Sequence, residues 1–164
     1  MPVTDVNRDL ERQTLQITSR FDAPVDAVWA MWADPRRLER WWGPPTHPAT
    51  FVEHDLTPGG TASYYMTGPE GDRFAGWWRV LEVEAPHRLV VEDGFAHGDG
   101  TPNDDLPVTV MRVTVDPRHG GGTTMQIEST FPSPEAMEQL LEMGMEEGTI
   151  LAIGQIDELL LESV

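Results

Sequence analysis

The sequence predicts an α+β domain: seven strands in one antiparallel sheet, two short helices after the first strand, and a long helix at the C-terminal end. Three observations lead there. Apolar residues recur in short, strand-length stretches, most clearly by alternation. The connections between most stretches are of hairpin length, which suits antiparallel pairing, whereas parallel strands need long crossovers. Finally, Ser133-Pro134-Glu135 combines a capping hydroxyl, a first-turn proline and an acid near the positive dipole end, the signature of a helix start.

Residues 1–12 carry charge without clear periodicity and read as a flexible arm ahead of a single domain over 13–164. Over 13–21 the chain alternates, with Leu15, Ile17, Ser19 and Phe21 on one side, which predicts a half-buried strand. Asp22-Ala23-Pro24 ends it, and Pro24 suits a helix start because its missing N–H needs no partner there. Val25, Val28, Trp29 and Trp32 then fall at helical spacing. Asp34-Pro35 caps a second helix over 36–42, with Leu38, Trp41 and Trp42 as its apolar side, and Gly43-Pro44-Pro45 stops it.

Six further strands are expected over 49–56, 61–67, 73–84, 89–95, 107–115 and 123–131. Turn sequences such as Pro58-Gly59-Gly60, Ala85-Pro86-His87-Arg88 and Gly120-Gly121-Gly122 separate them, and a polar loop spans 97–106. The last helix is expected over 134–162, with Met137, Leu141, Met145, Gly148, Ala152, Ile156 and Leu160 near one face. Gly144, Gly148 and Gly154 each cost roughly 1 kcal/mol against Ala in a helix interior. Close approach of the sheet or a ligand is one reason to tolerate them, and a kink is the other.

Composition narrows the chemistry. The 164 residues are 39% hydrophobic and 24% charged, as in an ordinary globular chain. There is no Cys and no Lys, which excludes disulfides, thiolate nucleophiles, Schiff bases and a phosphate-loop lysine. G-x-S-x-G, H-E-x-x-H and G-x-G-x-x-G do not occur, and no catalytic residue is assigned. The net charge of −17, from 11 basic and 28 acidic residues, disfavours nucleic acid and anionic membranes as partners. No run is long and apolar enough to span a bilayer, and the N-terminal segment is polar, so a cytoplasmic location is expected. His97, Asp99, Asp104 and Asp105 match no metal-ligand spacing and sit in a Gly/Pro loop, so neither a metal nor a cofactor is expected.

Several motifs are familiar when taken in order. The stretch from Phe21-Asp22-Ala23-Pro24 to Trp29 resembles the opening of the helix-grip superfamily, which includes polyketide cyclases, lipid-transfer domains and the birch-pollen allergen. Trp41-Trp42-Gly43-Pro44, Asp55-Leu56-Thr57-Pro58-Gly59-Gly60, the stretch 76–83 and Ala85-Pro86-His87-Arg88-Leu89 are more specific. Together, over 15–160, they resemble homologues of the activator of the ninety-kilodalton heat-shock protein ATPase. The resemblance implies a seven-stranded curved sheet wrapped around the C-terminal helix, with a cavity between them. Near Gly148, where that family usually carries a Trp, this chain has Thr149, which leaves room or a hydroxyl over the cavity.

Strand parity selects the candidate lining. Burying a carboxylate is expensive, so on 73–84 the set with Trp77, Arg79, Leu81 and Val83 is expected inward, away from Glu82 and Glu84. Val52, His54 and Leu56 form one such face, as do Ala62, Tyr64 and Met66, then Met111, Val113 and Val115, then Met125 and Ile127. The expected ligand contacts are Trp42 as a roof, His54, Tyr64, Met66, Trp77, Arg79, Phe95, Met111, Met125, Met145 and Thr149. For His54, a backbone-bonded core or edge position is weighed against ligand contact and acid–base work. Three functions remain open. The first is binding of a small hydrophobic molecule, as carrier or sensor, between adaptable methionines. The second is a protein-interaction module resembling the co-chaperone, with a chaperone or a second copy as partner. The third is a cyclase-like enzyme using His54, Tyr64 and Arg79.

Overall fold

The computed structural model describes residues 2–162. The alternating segment becomes a strand, β2 (Thr14–Phe21), after a first strand, β1 (Val3–Asp9). Two helices follow, α1 (Val25–Ala33) and α2 (Pro35–Leu38). Then come β3 (Ala49–His54), β4 (Thr61–Thr67), β5 (Arg73–Glu84), β6 (Arg88–Ala96), β7 (Thr109–Pro117) and β8 (Thr123–Thr130). The chain ends in α3 (Pro134–Glu142), α4 (Met145–Ile153) and α5 (Ile156–Glu162). All strands join one eight-stranded sheet in the order β1-β2-β8-β7-β6-β5-β4-β3. Every pairing in it is antiparallel.

The eighth strand corrects the expected count of seven. β1 comes from residues read as an arm, and it pairs with β2 from Val3↔Ser19 to Asp9↔Thr14. Its middle residues are exposed on both faces, so the usual alternation that betrays a strand is missing. Backbone pairing to β2 forms it instead.

α1 and α2 start as expected. Asp34 accepts a hydrogen bond from the Arg36 N–H at 2.9 Å and Pro35 occupies the first turn. The second helix stops at Leu38 rather than continuing to 42, and Trp41 and Trp42 follow in a turn. Trp41 is held there by its indole N–H, which donates to the Met31 carbonyl at 2.9 Å. Trp32 packs edge-on against Trp41 with ring centroids 4.8 Å apart, the arrangement aromatic quadrupoles prefer.

The expected long helix is three helices. Ser133 caps α3 by accepting from the Ala136 N–H at 3.0 Å. Gly144, at φ +89°, breaks the rod between α3 and α4, a backbone position open to glycine at little cost. A second break, at Gly154, separates α4 from α5. Gly148 stays helical within α4. Two of the three glycines are therefore kinks.

Of three register shifts in the sheet, two reset the parity of strands expected to line the cavity. One lies between Phe51 and Glu53, the other between Val80 and Glu82. On β5 the buried set is Gly76, Trp78 and Val80, not the set with Trp77, Arg79 and Leu81. Arg79 is exposed beside Glu92, at 3.8 Å, and Leu81 is also exposed. Val83 packs partly buried against the core as expected, because the extra residue at the bulge restores its phase. On β3, Val52 is exposed and Phe51 is buried, while His54 returns to the inner side past the bulge. Arg36 of α2 and Glu39 at its C-terminal cap secure this irregular edge: Glu39 accepts from the Phe51 N–H at 3.0 Å, and Arg36 donates to the Phe51 carbonyl at 3.1 Å. Burying Trp78 on the even face outweighs any burial of Leu81, since an indole removes far more apolar area from water.

Candidate functional site: a cavity between sheet and helix

Between the inner face of the sheet and α4 lies a cavity of about 290 Å³. Leu15 and Ile17 of β2, Met111 of β7 and Ile127 of β8 form its floor. Met145, Gly148, Thr149 and Ala152 of α4 form its ceiling, and Trp41, Trp42 and Pro44 close one end. Gln155, at the break between α4 and α5, ties that end down by donating to the Gly43 carbonyl at 2.8 Å.

The two titratable groups of the lining, Tyr64 and Asp93, meet each other. Tyr64 on β4 reaches across β5 and donates its hydroxyl hydrogen to Asp93 Oδ1 on β6 at 3.2 Å. Gly76 lies between them, paired with both Tyr64 and Phe95. A Cβ at position 76 would overlap the Tyr64 ring and hydroxyl, so glycine is what lets the tyrosine lie flat across β5. Trp42 meets Tyr64 edge-on at 6.0 Å, and Trp78 meets Trp42 in the same way at 4.9 Å.

Desolvation dominates the electrostatics here. It raises the Asp93 carboxyl from 3.8 to about 7, against a smaller opposing effect from the Tyr64 hydroxyl and the Trp78 indole. Tyr64 is pushed well above its ordinary value, first by desolvation and then by the neighbouring carboxylate. The indole N–H groups of Trp42 and Trp78 lie close enough to favour the charged forms of Tyr64 and Asp93. Neither indole reaches hydrogen-bond geometry, so both are buried without a partner. They act as oriented dipoles rather than as bonded donors.

Of the expected contacts, Trp42, Tyr64, Met66, Phe95, Met111, Met145 and Thr149 line the cavity. Four do not. Arg79 is on the outer face. Trp77 also lies outside, over Gly94, with its indole N–H donating to the Phe95 carbonyl at 2.9 Å. Met125 is fully buried beyond the cavity and accepts from the Trp32 indole at 3.3 Å. His54 faces inward, but its Nε2 lies 2.9 Å from the Trp32 carbonyl, which accepts, so that nitrogen carries the proton. A cyclase-like set of His54, Tyr64 and Arg79 is therefore not assembled; only Tyr64 touches the cavity.

Asp93 is the residue that the sequence reading passed over. Its signal was present: Leu89, Val91, Asp93 and Phe95 share one parity, and an acid there interrupts an otherwise apolar face.

The comparisons with known proteins agree with this architecture. The family model described as Activator of Hsp90 ATPase homolog 1-like protein matches residues 22–161. A crystal structure of a Mycobacterium smegmatis protein is 51% identical, with a TM-score of 0.89 and 96% of each chain covered. A solution structure of an Arthrobacter aurescens protein is 52% identical, with a TM-score of 0.93, covering 98% of this chain and 92% of that one. A Staphylococcus epidermidis protein is 25% identical with a TM-score of 0.83, covering 98% of this chain and 96% of that chain. No curated protein matches the chain. No helix among the described residues is long and apolar enough to cross a membrane.

Proposed function

We infer, from the premise that this chain belongs to the Activator of Hsp90 ATPase homolog 1-like family, that it binds a small hydrophobic molecule between its sheet and α4, as a carrier or sensor. The observation that carries this reading is the cavity of about 290 Å³, walled by aliphatic, aromatic and methionine side chains with polar groups confined to a few positions. Such a mixture suits a ligand that is mostly hydrocarbon and is oriented by one polar end. Its size suits a bicyclic molecule or a medium-length chain, since a cavity of roughly 150 Å³ already accepts benzene. Flexible methionines at 66, 111, 143 and 145 allow the walls to adjust to shape.

Thr149 gives the test. Its hydroxyl donates to the Met145 carbonyl at 2.8 Å within α4, leaving the space in front of it open. Thr149→Trp should fill the cavity, weakening binding of an environment-sensitive naphthalene dye by about tenfold or more while leaving the circular dichroism spectrum unchanged. Native mass spectrometry of the purified wild-type protein should show a co-purifying small molecule that the variant lacks. Equal dye affinity in the two proteins would remove the cavity from consideration.

A further inference from the structure

The cavity contains one charged side chain among the described residues, and it is an acid. Among the described residues no Arg or His lines it. Arg79 pairs with Glu92 outside it, Arg8 with Glu146 at 2.6 Å and Arg40 with Glu162 at 3.0 Å. A ligand with a carboxylate or phosphate head would enter a site with no compensating cation and meet Asp93 at the polar end. Like charge in a desolvated pocket is strongly unfavourable.

Aromatic rings surround that same end. Trp41, Trp42, Tyr64 and Phe95 all line the cavity, with the Trp42 and Tyr64 rings nearly perpendicular, at 85°. Aromatic walls beside a carboxylate suit an ammonium group, through direct charge pairing and attraction to ring faces turned to the cavity. Tyr64 already donates to Asp93 Oδ1, which fixes the carboxylate on the cavity wall. The carboxylate also bears its desolvation before any ligand arrives, and an incoming positive charge relieves it. A chain with net charge −17 favours approach of a cation at long range as well.

We propose that the cavity selects an apolar molecule carrying a basic amine, whose ammonium group sits against Asp93 on the cavity wall; this rests on the reading that the cavity binds a small hydrophobic molecule at all. Asp93 supplies the counter-charge, Tyr64 holds the carboxylate in position, and the methionine and aliphatic walls take the hydrocarbon.

The test compares octylamine, octanol and octanoic acid, which share one hydrocarbon chain and differ in the head group. Calorimetric titration at about pH 8 keeps Asp93 largely ionised and the amine protonated. Octylamine should bind about tenfold or more tightly than octanol, with octanoic acid weakest. In Asp93→Asn the preference for octylamine over octanol should shrink to about twofold or less. Equal affinity for amine and alcohol in the wild type, or preference for the acid, overturns the amine assignment and leaves hydrophobic binding standing. No binding of any of the three to the folded protein overturns both. The wild-type ranking decides the matter even if Asp93→Asn does not fold.

Discussion

Tyr64, Gly76 and Asp93 depend on one another through space that a single Cβ would fill. Gly76→Ala should push the tyrosine off β5 and part it from Asp93, a packing error costing roughly 2–3 kcal/mol, read as a lower urea midpoint with an unchanged slope. Asp93 also makes stability depend on pH. Its folded-state carboxyl titrates near 7 and its unfolded one near 3.8, so between those values the folded chain holds a proton that the unfolded chain has lost. Stability from this group is fully present below the unfolded value and declines as pH rises to about 7. Asp93→Asn should abolish that decline, making the variant more stable than wild type above neutrality by at most roughly 4 kcal/mol. Denaturation midpoints of both proteins from acid to mild base will show it, and parallel curves would contradict the raised carboxyl. His54 belongs to the fold rather than to the cavity. His54→Ala should lose roughly 1–2 kcal/mol with its bond to Trp32 and leave dye affinity untouched.

At the scale of elements, α3, α4 and α5 illustrate how one residue type has opposite consequences. Gly144 turns the chain at positive φ, where a side chain is strained. Gly148 is helical, and a Cβ there meets nothing within 4 Å. Gly144→Ala should therefore destabilise by about 1 kcal/mol, and Gly148→Ala should stabilise by a similar amount. Thermal denaturation of the pair decides this, because shifts in the same direction would mean that local backbone preference is not what separates them. The break at Gly144 also sets the cavity: Met143, Gly144 and Met145 all line it, which a straight rod from 134 to 162 would not have arranged in the same way. On the sheet, the β5 bulge does equivalent work, allowing Trp78 to face inward while keeping Val83 against the core.

Over the whole molecule, β1 protects an edge. Without it, β2 would expose its backbone along the full length of the pairing from residue 14 to 19. Its side chains are mostly exposed, so the contribution is backbone pairing plus the ion pair of Arg8 with Glu146 at the start of α4. A chain lacking residues 1–10 should retain its spectrum and the cavity, lose a few kcal/mol, and self-associate through the bared β2 edge. Size-exclusion chromatography at rising concentration reads the association. A variant that stayed monomeric and equally stable would show that β1 is dispensable. The acidic surface acts at this scale too, attracting cations and repelling anions before any contact forms.

What the amino-acid sequence determined alone was local. Proline and glycine punctuation marked the turns and so the limits of seven of eight strands, and Ser133 marked the start of α3, because turn chemistry and capping act within a few residues. Tyr64, Met66 and Met111 were legible as inward positions since no bulge shifts the phase of β4 or β7. The positions of Trp77, Arg79 and Val52 were decided by tertiary structure, because a bulge shifts phase according to what the neighbouring strand and helix α2 offer as hydrogen-bond partners. The same holds for Asp93. Its parity can be read along one strand, but its enclosure by Tyr64, Trp42 and Trp78 comes from β4, β5 and the turn after α2, and only their convergence turns an ordinary acid into the polar end of a cavity.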